Sequence, residues 1–215
     1  MSPQQLYDSP WNQPLAGWLL TAMTLVWLRQ KPPGRLRAVL AIFALQLCVD
    51  NWLTGALNPL PQASPLNQPL AILFVILGDW RFFLLTEPRQ ERHRWLKSLG
   101  FALMVPVLMA ILPRLLPEHF PTSRHTFLAY ELLFLGLALL WRFIVLPLRH
   151  RARPTHKWTL QLANFEILQY ALWAIADLLI LGGYENGFLL RLVPNTLYYG
   201  LFLAFAAWKA PREVW

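Results

Sequence analysis

The stretch ILGDWRFFLL, Ile76–Leu85, is apolar enough to lie in a lipid bilayer, yet it carries Asp79 and Arg81 two residues apart. Whether that stretch is a soluble core or a membrane span decides the fold. Its surroundings settle the reading. The chain of 215 residues is 56% hydrophobic and only 14% charged, against about 25% charged in an ordinary soluble domain. Composition of this kind, with eleven Trp and thirteen Phe, points to a polytopic membrane protein.

Working outward from Ile76–Leu85, seven apolar segments emerge, over 13–29, 37–57, 68–86, 97–116, 126–148, 158–182 and 187–208. Each is near the roughly 20 residues that cross a bilayer as a helix. A helix is the expected form, because lipid offers the backbone no hydrogen bonds and a helix satisfies its own. The separators RQKPPGR, NPLPQASPLNQP, TEPRQERHR, LPEHFPTSRH, LRHRARPTHK and GGYEN are rich in the Pro, Gly and charged residues of turns. The predicted fold is all-α, a single seven-helix transmembrane domain over 1–215.

Charge orients the bundle. Arg29, Lys31, Arg35 and Arg37 follow the first span, and Arg89, Arg92, Arg94 and Lys97 the third. Arg149, Arg151, Arg153 and Lys157 follow the fifth, and Lys209 and Arg212 the seventh, so fourteen of nineteen basic residues fall on one side. The positive-inside rule then predicts an outer N-terminus and a cytoplasmic C-terminus in a cell (inner) membrane. Asp8 precedes the first span and Arg29 and Lys31 follow it, the reverse of a signal peptide's charge order, so this span is expected to be retained. No loop leaves room for a soluble domain.

The same clusters account for the net charge of +8 without nucleic acid. The expected contacts of the basic loops, His150 and His156 included, are anionic lipid headgroups. The lone Cys48 excludes an intrachain disulfide and a Cys-rich metal centre. All five histidines lie in loops, so no intramembrane histidine metal site is expected, and no HExxH, GxSxG or Walker motif occurs. No metal, cofactor or catalytic residue is assigned. Trp11, Trp18, Trp95, Trp158 and Trp208 sit near span ends, as interfacial anchors do.

A parallel repeat of three spans, a linker and three more is one reading of the plan. LVWLR (Leu25–Arg29) echoes LLWRF (Leu139–Phe143), Asp50 matches Asp177, and FVILGDWRFFLL lays over LRLVPNTLYYGL with Asp79 on Asn195.

The chemistry lies with ionisable residues inside the spans: Asp50, Asp79, Arg81, Glu131, Arg142, Glu166, Asp177 and Arg191. Each is costly in lipid unless it pairs or faces a wet interior. In the sixth span Glu166, Tyr170, Trp173 and Asp177 step by four, three and four, which puts them on one helix face with Gln169 beside them. Arg191, Asn195 and Tyr198 share a face of the seventh span, Gln46 and Asp50 one of the second, and Glu131 and Arg142, eleven apart, one of the fifth. Depth in the helices suggests two structural ion pairs, Asp177 with Arg191 and Arg142 with Glu166.

Asp79 lies near the midplane, and Arg81 points about 200° away around the same helix. A carboxylate there is neutralised by a proton or by a partner on another helix, and the segment of Asn195, Tyr198 and Tyr199 behind Pro194 is the expected partner. The leading reading is a carrier for a small solute or ion with Asp79 as coupling carboxylate. Asp50, Glu166, Asp177, Arg191, Asn195, Tyr198 and Tyr199 would line the solute or proton path. A membrane sensor or accessory subunit is the alternative, and a metal-independent lipid enzyme the third. The residues do not assign an oligomeric state.

Overall fold

The computed structural model describes residues 2–9, 16–54, 58–61, 63–87, 93–150 and 155–214. Trp11, Arg89, Arg92, Arg151 and Arg153, and the side chain of His150, lie outside the described part. Among the described residues there is no strand. The helices are α1 (Pro3–Tyr7), α2 (Ala16–Leu28), α3 (Arg35–Thr54), α4 (Asn67–Thr86), α5 (Arg94–Leu115), α6 (Ser123–Leu140), α7 (Leu146–His150), α8 (His156–Leu181), α9 (Asn186–Thr196) and α10 (Phe202–Lys209). A π-helical turn, Trp141–Val145, joins α6 to α7, and a second, Leu197–Leu201, joins α9 to α10.

Among the described residues, six helical segments are long and apolar enough to cross a membrane: α3, α4, α5, Ser123–Arg149, α8 and Asn186–Lys209. The first predicted span contains a shorter apolar helix, Gly17–Leu28. Leu19, Ile42, Leu45, Val107, Ile144 and Leu148 are exposed, a costly outward display in water and an ordinary one in lipid. The chain is therefore compatible with a multi-pass integral membrane protein.

Two compact units make up the chain. The first comprises Met1–Val75 and Asn195–Trp215, the second Ile76–Pro194. In the first, α2 packs on α3 and on the Leu197–Leu201 turn. Thr21 Oγ1 donates to the Gly17 carbonyl at 2.7 Å and to the Tyr199 carbonyl at 3.2 Å, so the hydroxyl stays satisfied without water. Leu36, Leu40, Phe43, Leu47, Phe202 and Leu203 are buried along its helices.

In the second unit α6 packs extensively on α8, and a tight turn returns α8 into α9. Gly183 takes φ +82°, a conformation side chains resist, and ends α8 as its own amide bonds back to the Ile180 carbonyl and those of Gly182 and Tyr184 to Leu178 and Leu179. Gly187, in the first turn of α9, lies so close to α8 that a Cβ there would stand 2.6 Å from the Ala176 carbonyl oxygen and 3.0 Å from the Ile180 nitrogen. Small residues at such crossings let helix backbones approach in a membrane.

That contact predicts contrasting effects for two Gly-to-Ala exchanges. Gly187→Ala forces backbone against backbone and should destabilise by about 1–3 kcal/mol. Gly136→Ala, where nothing lies within 4 Å of the added carbon, should be neutral or stabilise by up to about 1 kcal/mol. Thermal unfolding of both variants in one detergent measures the difference.

Candidate functional site

A shallow groove of about 270 Å³ is lined by Trp18, Cys48, Val49 and Trp52 in the first unit. Its walls are almost wholly apolar, with the Trp18 Nε1 donating to the Cys48 carbonyl at 3.1 Å. It brings no group of polar side chains together, so we place the candidate site elsewhere, in the polar interior of the second unit.

Asp79, on α4, is 2% exposed. Both of its carboxylate oxygens are occupied: the Tyr170 hydroxyl on α8 donates to Oδ1 at 2.6 Å, and the Tyr130 hydroxyl on α6 donates to Oδ2. Phe134, one turn beyond Tyr130, stacks on the Tyr170 ring with centroids 4.1 Å apart, and Trp173 meets that ring edge-on at 5.2 Å. Aromatic packing thus fixes where the Tyr170 hydroxyl points. Arg81 is fully buried two residues beyond Asp79, and its charge acts on Asp79 despite the divergent directions. The charges of Arg81 and Asp79 both act on Glu166, also buried, whose Oε2 accepts from Gln169 Nε2 at 3.2 Å.

A second polar group lies further along α8. Asp177 Oδ1 accepts from Arg191 Nη1, which also donates to Glu131 Oε1 at 3.1 Å. Arg124 Nη1, at the start of α6, donates to the same Asp177 oxygen at 3.1 Å. Two carboxylates and two guanidiniums tie together α6, α8 and α9. Asp177 is seven residues from Tyr170, about 10 Å along α8, and Glu131 stands next to Tyr130 on α6, so the two groups are neighbours.

At the other end of α4, the Glu87 carboxylate accepts from Arg149 Nη1 at 2.5 and 2.7 Å. The Arg149 guanidinium lies over the rings of Trp141 and Phe101, and Trp141 Nε1 donates to Thr86 Oγ1 at 3.0 Å. Trp141 is completely buried at the start of its π turn, a local irregularity frequent where side chains are held for function.

The second unit therefore carries three polar layers; among the described residues the Asp177 group holds two carboxylates and two guanidiniums, and beside the Glu87–Arg149 pair Arg94 Nη2 donates to the Leu84 carbonyl at 3.3 Å. The Asp79 layer has two carboxylates, Asp79 and Glu166, to one guanidinium, Arg81, among the described residues of the unit. Arg81 makes further interactions as well.

Compared with known protein families, curated proteins and solved structures, the chain matches none.

Of the residues singled out in the sequence, Asp79, Glu166, Asp177 and Arg191 belong to the second unit, and Asp177 and Arg191 are in contact. Arg142 donates from Nε to Asn164 Oδ1 at 2.7 Å, so the suggested Arg142–Glu166 pair is absent from the contacts of these residues. Asp50, Asn195, Tyr198 and Tyr199 belong to the first unit. There Asp50 accepts from Thr54 Oγ1 at 2.9 Å, and Tyr198 donates to the Phe74 carbonyl at 3.4 Å and meets Tyr199 edge-on. Trp158 is 5% exposed, packed among protein rather than displayed at the surface.

Sequence reasoning missed Tyr130, Glu87 and Arg124. Tyr130 had a signal: it stands one residue before Glu131 and one turn before Phe134 in an apolar helix, the place for a hydroxyl that needs a partner. Glu87 and Arg124 fall in stretches that read as loops.

Removing a shared cation from the second group should be severe. Arg191→Leu leaves Asp177 and Glu131 without the donor they share and is expected to cost about 3–5 kcal/mol. Arg142→Gln, which loses one partly exposed hydrogen bond, should cost about 1 kcal/mol or less. Chemical unfolding of the two variants in detergent separates the cases.

Proposed function

We propose that the protein is a multi-pass carrier of a small solute or ion, with Asp79 as the carboxylate that couples transport to proton movement. The observation that carries this reading is the charge count of the Asp79 layer. A buried layer holding two carboxylates and one guanidinium has a negative charge that lipid does not tolerate, and a mobile proton or cation removes it. Layers in which carboxylate and guanidinium are matched need no such ion. They suit the opening and closing of a path on either side of the Asp79 layer, as alternating access requires.

Seven spans, an outer N-terminus and an inner-membrane location complete the proposal, supported by Gly17–Leu28 as a short first span and by the one-sided basic loops. Glu166, Asp177 and Arg191 are proposed to line the path within the second unit. The parallel repeat stays a proposal carried by the sequence echoes, and anionic headgroups are the proposed neighbours of the basic loops.

Transport by the purified protein in proteoliposomes tests the reading. Pools of amino acids, sugars and monovalent cations are presented with and without an imposed pH gradient. At least one pool is expected to move faster with the gradient, and Asp79→Asn should abolish that acceleration. Unchanged pH dependence in Asp79→Asn would remove the coupling role. Tyr170→Phe, which takes one donor from Asp79, is expected to keep transport but shift its pH dependence, measurable in the same assay across a pH series.

A further inference from the structure

The carrier reading assigns the proton to Asp79 alone, but the geometry points to a wider site. Both Asp79 oxygens already accept tyrosine hydrogen bonds, from Tyr130 and Tyr170. Tyr170 lies one helical turn from Glu166 on α8, and the charges of both Asp79 and Glu166 act on it. Gln169 turns its NH₂ group toward Glu166, which leaves its own Oε1 fully buried with no hydrogen-bond donor among the described residues. The acceptors of the layer are four carboxylate oxygens and an amide oxygen. The fixed donors and charges facing them are the hydroxyls of Tyr130 on α6 and Tyr170 on α8, the Gln169 amide on α8, and the guanidinium of Arg81 on α4.

We propose that Asp79 and Glu166 form one composite site that binds a single proton between them, with Arg81 balancing the carboxylate that remains ionised and Tyr170 bridging toward both. Two carboxylates near one cation titrate as a pair rather than as separate groups. The proton then removes the surplus negative charge of the layer, and either carboxylate holds it. No bond other than O–H forms or breaks. Glu166 becomes a second ion-binding residue of the site, equal in rank to Asp79. This deepens the carrier reading and rests on its assignment of a proton to the Asp79 layer. It is tested at rest, without transport, so a failed flux assay and a failed titration are separate results.

The experiment is infrared difference spectroscopy of the full chain in lipid across a pH series, reading the carbonyl stretch of protonated carboxyl groups. The signal of interest is the component absent from the double variant Asp79→Asn/Glu166→Gln. If the two residues share one proton, wild type shows this component, and Asp79→Asn and Glu166→Gln each lose all of it, because Arg81 then balances the single carboxylate left. Arg81→Met is expected to raise it about twofold, since both carboxyls must then be protonated. Glu131→Gln, in the neighbouring layer, should leave it unchanged. Loss of only half in each single variant would mean two independent sites. No change in Glu166→Gln, or no such component in wild type, would remove Glu166 from the site. Displacement of the component by sodium chloride but not by choline chloride would assign the charge to an alkali cation. Each of these results overturns the proposal.

Discussion

A carboxylate withdrawn from water must have its oxygens answered by something else, and around Asp79 that requirement organises the second unit. Tyr130 and Tyr170 come from two different helices to meet one side chain on a third. Their rings occupy the interior, and Phe134 stacks on one of them. α4, α6 and α8 are therefore tied together by polar contacts as well as by the aromatic packing of Phe82, Phe83 and Phe134. The layers above and below follow the same rule with ions in place of hydroxyls: Arg191 and Arg124 join α9 and α6 to Asp177 on α8, and Arg149 secures the end of α4 through Glu87.

The three layers differ in what they allow. A matched ion pair is stable as it stands, and opening it costs both desolvation and attraction. The Asp79 layer has a surplus acceptor charge, so its most stable state depends on what enters from outside. Arg149 over Trp141 and Phe101 shows how the end layer is braced: the guanidinium is sandwiched by its carboxylate and by ring faces, so its position is fixed by more than one contact.

Much of this architecture was legible in the chain, and the limits have physical causes. Lipid makes helix the default for any long apolar run, so hydropathy read seven spans; among the described residues six helical segments reach spanning length, and the first read span contains the shorter Gly17–Leu28. The stripe Glu166, Tyr170, Trp173 and Asp177 follows from helical period alone; Glu166, Tyr170 and Asp177 are buried, as is Gln169 beside them, and Trp173 is half-buried. Asp177 and Arg191 meet because a short turn fixes their relative height. Glu131 and Arg142 share a face by spacing but lie about 16 Å apart along the axis, and a π turn begins at Trp141, so they serve different partners, Arg191 and Asn164. What the chain did not disclose was distance-spanning choice: Asp79 had an asparagine and several tyrosines at similar depth, and period cannot say which helix stands opposite. Glu87 and Arg149 were hidden for another reason, since charged residues at span ends look like solvent and headgroup contacts until a buried partner is seen.

The π turn at Trp141–Val145 has a consequence of register. A turn that closes its hydrogen bonds one residue later holds one residue more than an α turn, and every side chain beyond it is rotated by about 100° relative to an unbroken helix. Arg149 lies beyond that turn, and Trp141 lies at its start. The two reach the same corner, one to Glu87 and one to Thr86, only because the extra residue resets the phase between them. A single codon's worth of length therefore acts as a coupling between the helix period and the ion pair. Shortening this segment by one residue would change no charge and remove no partner, yet it would turn the guanidinium to a different side of the helix.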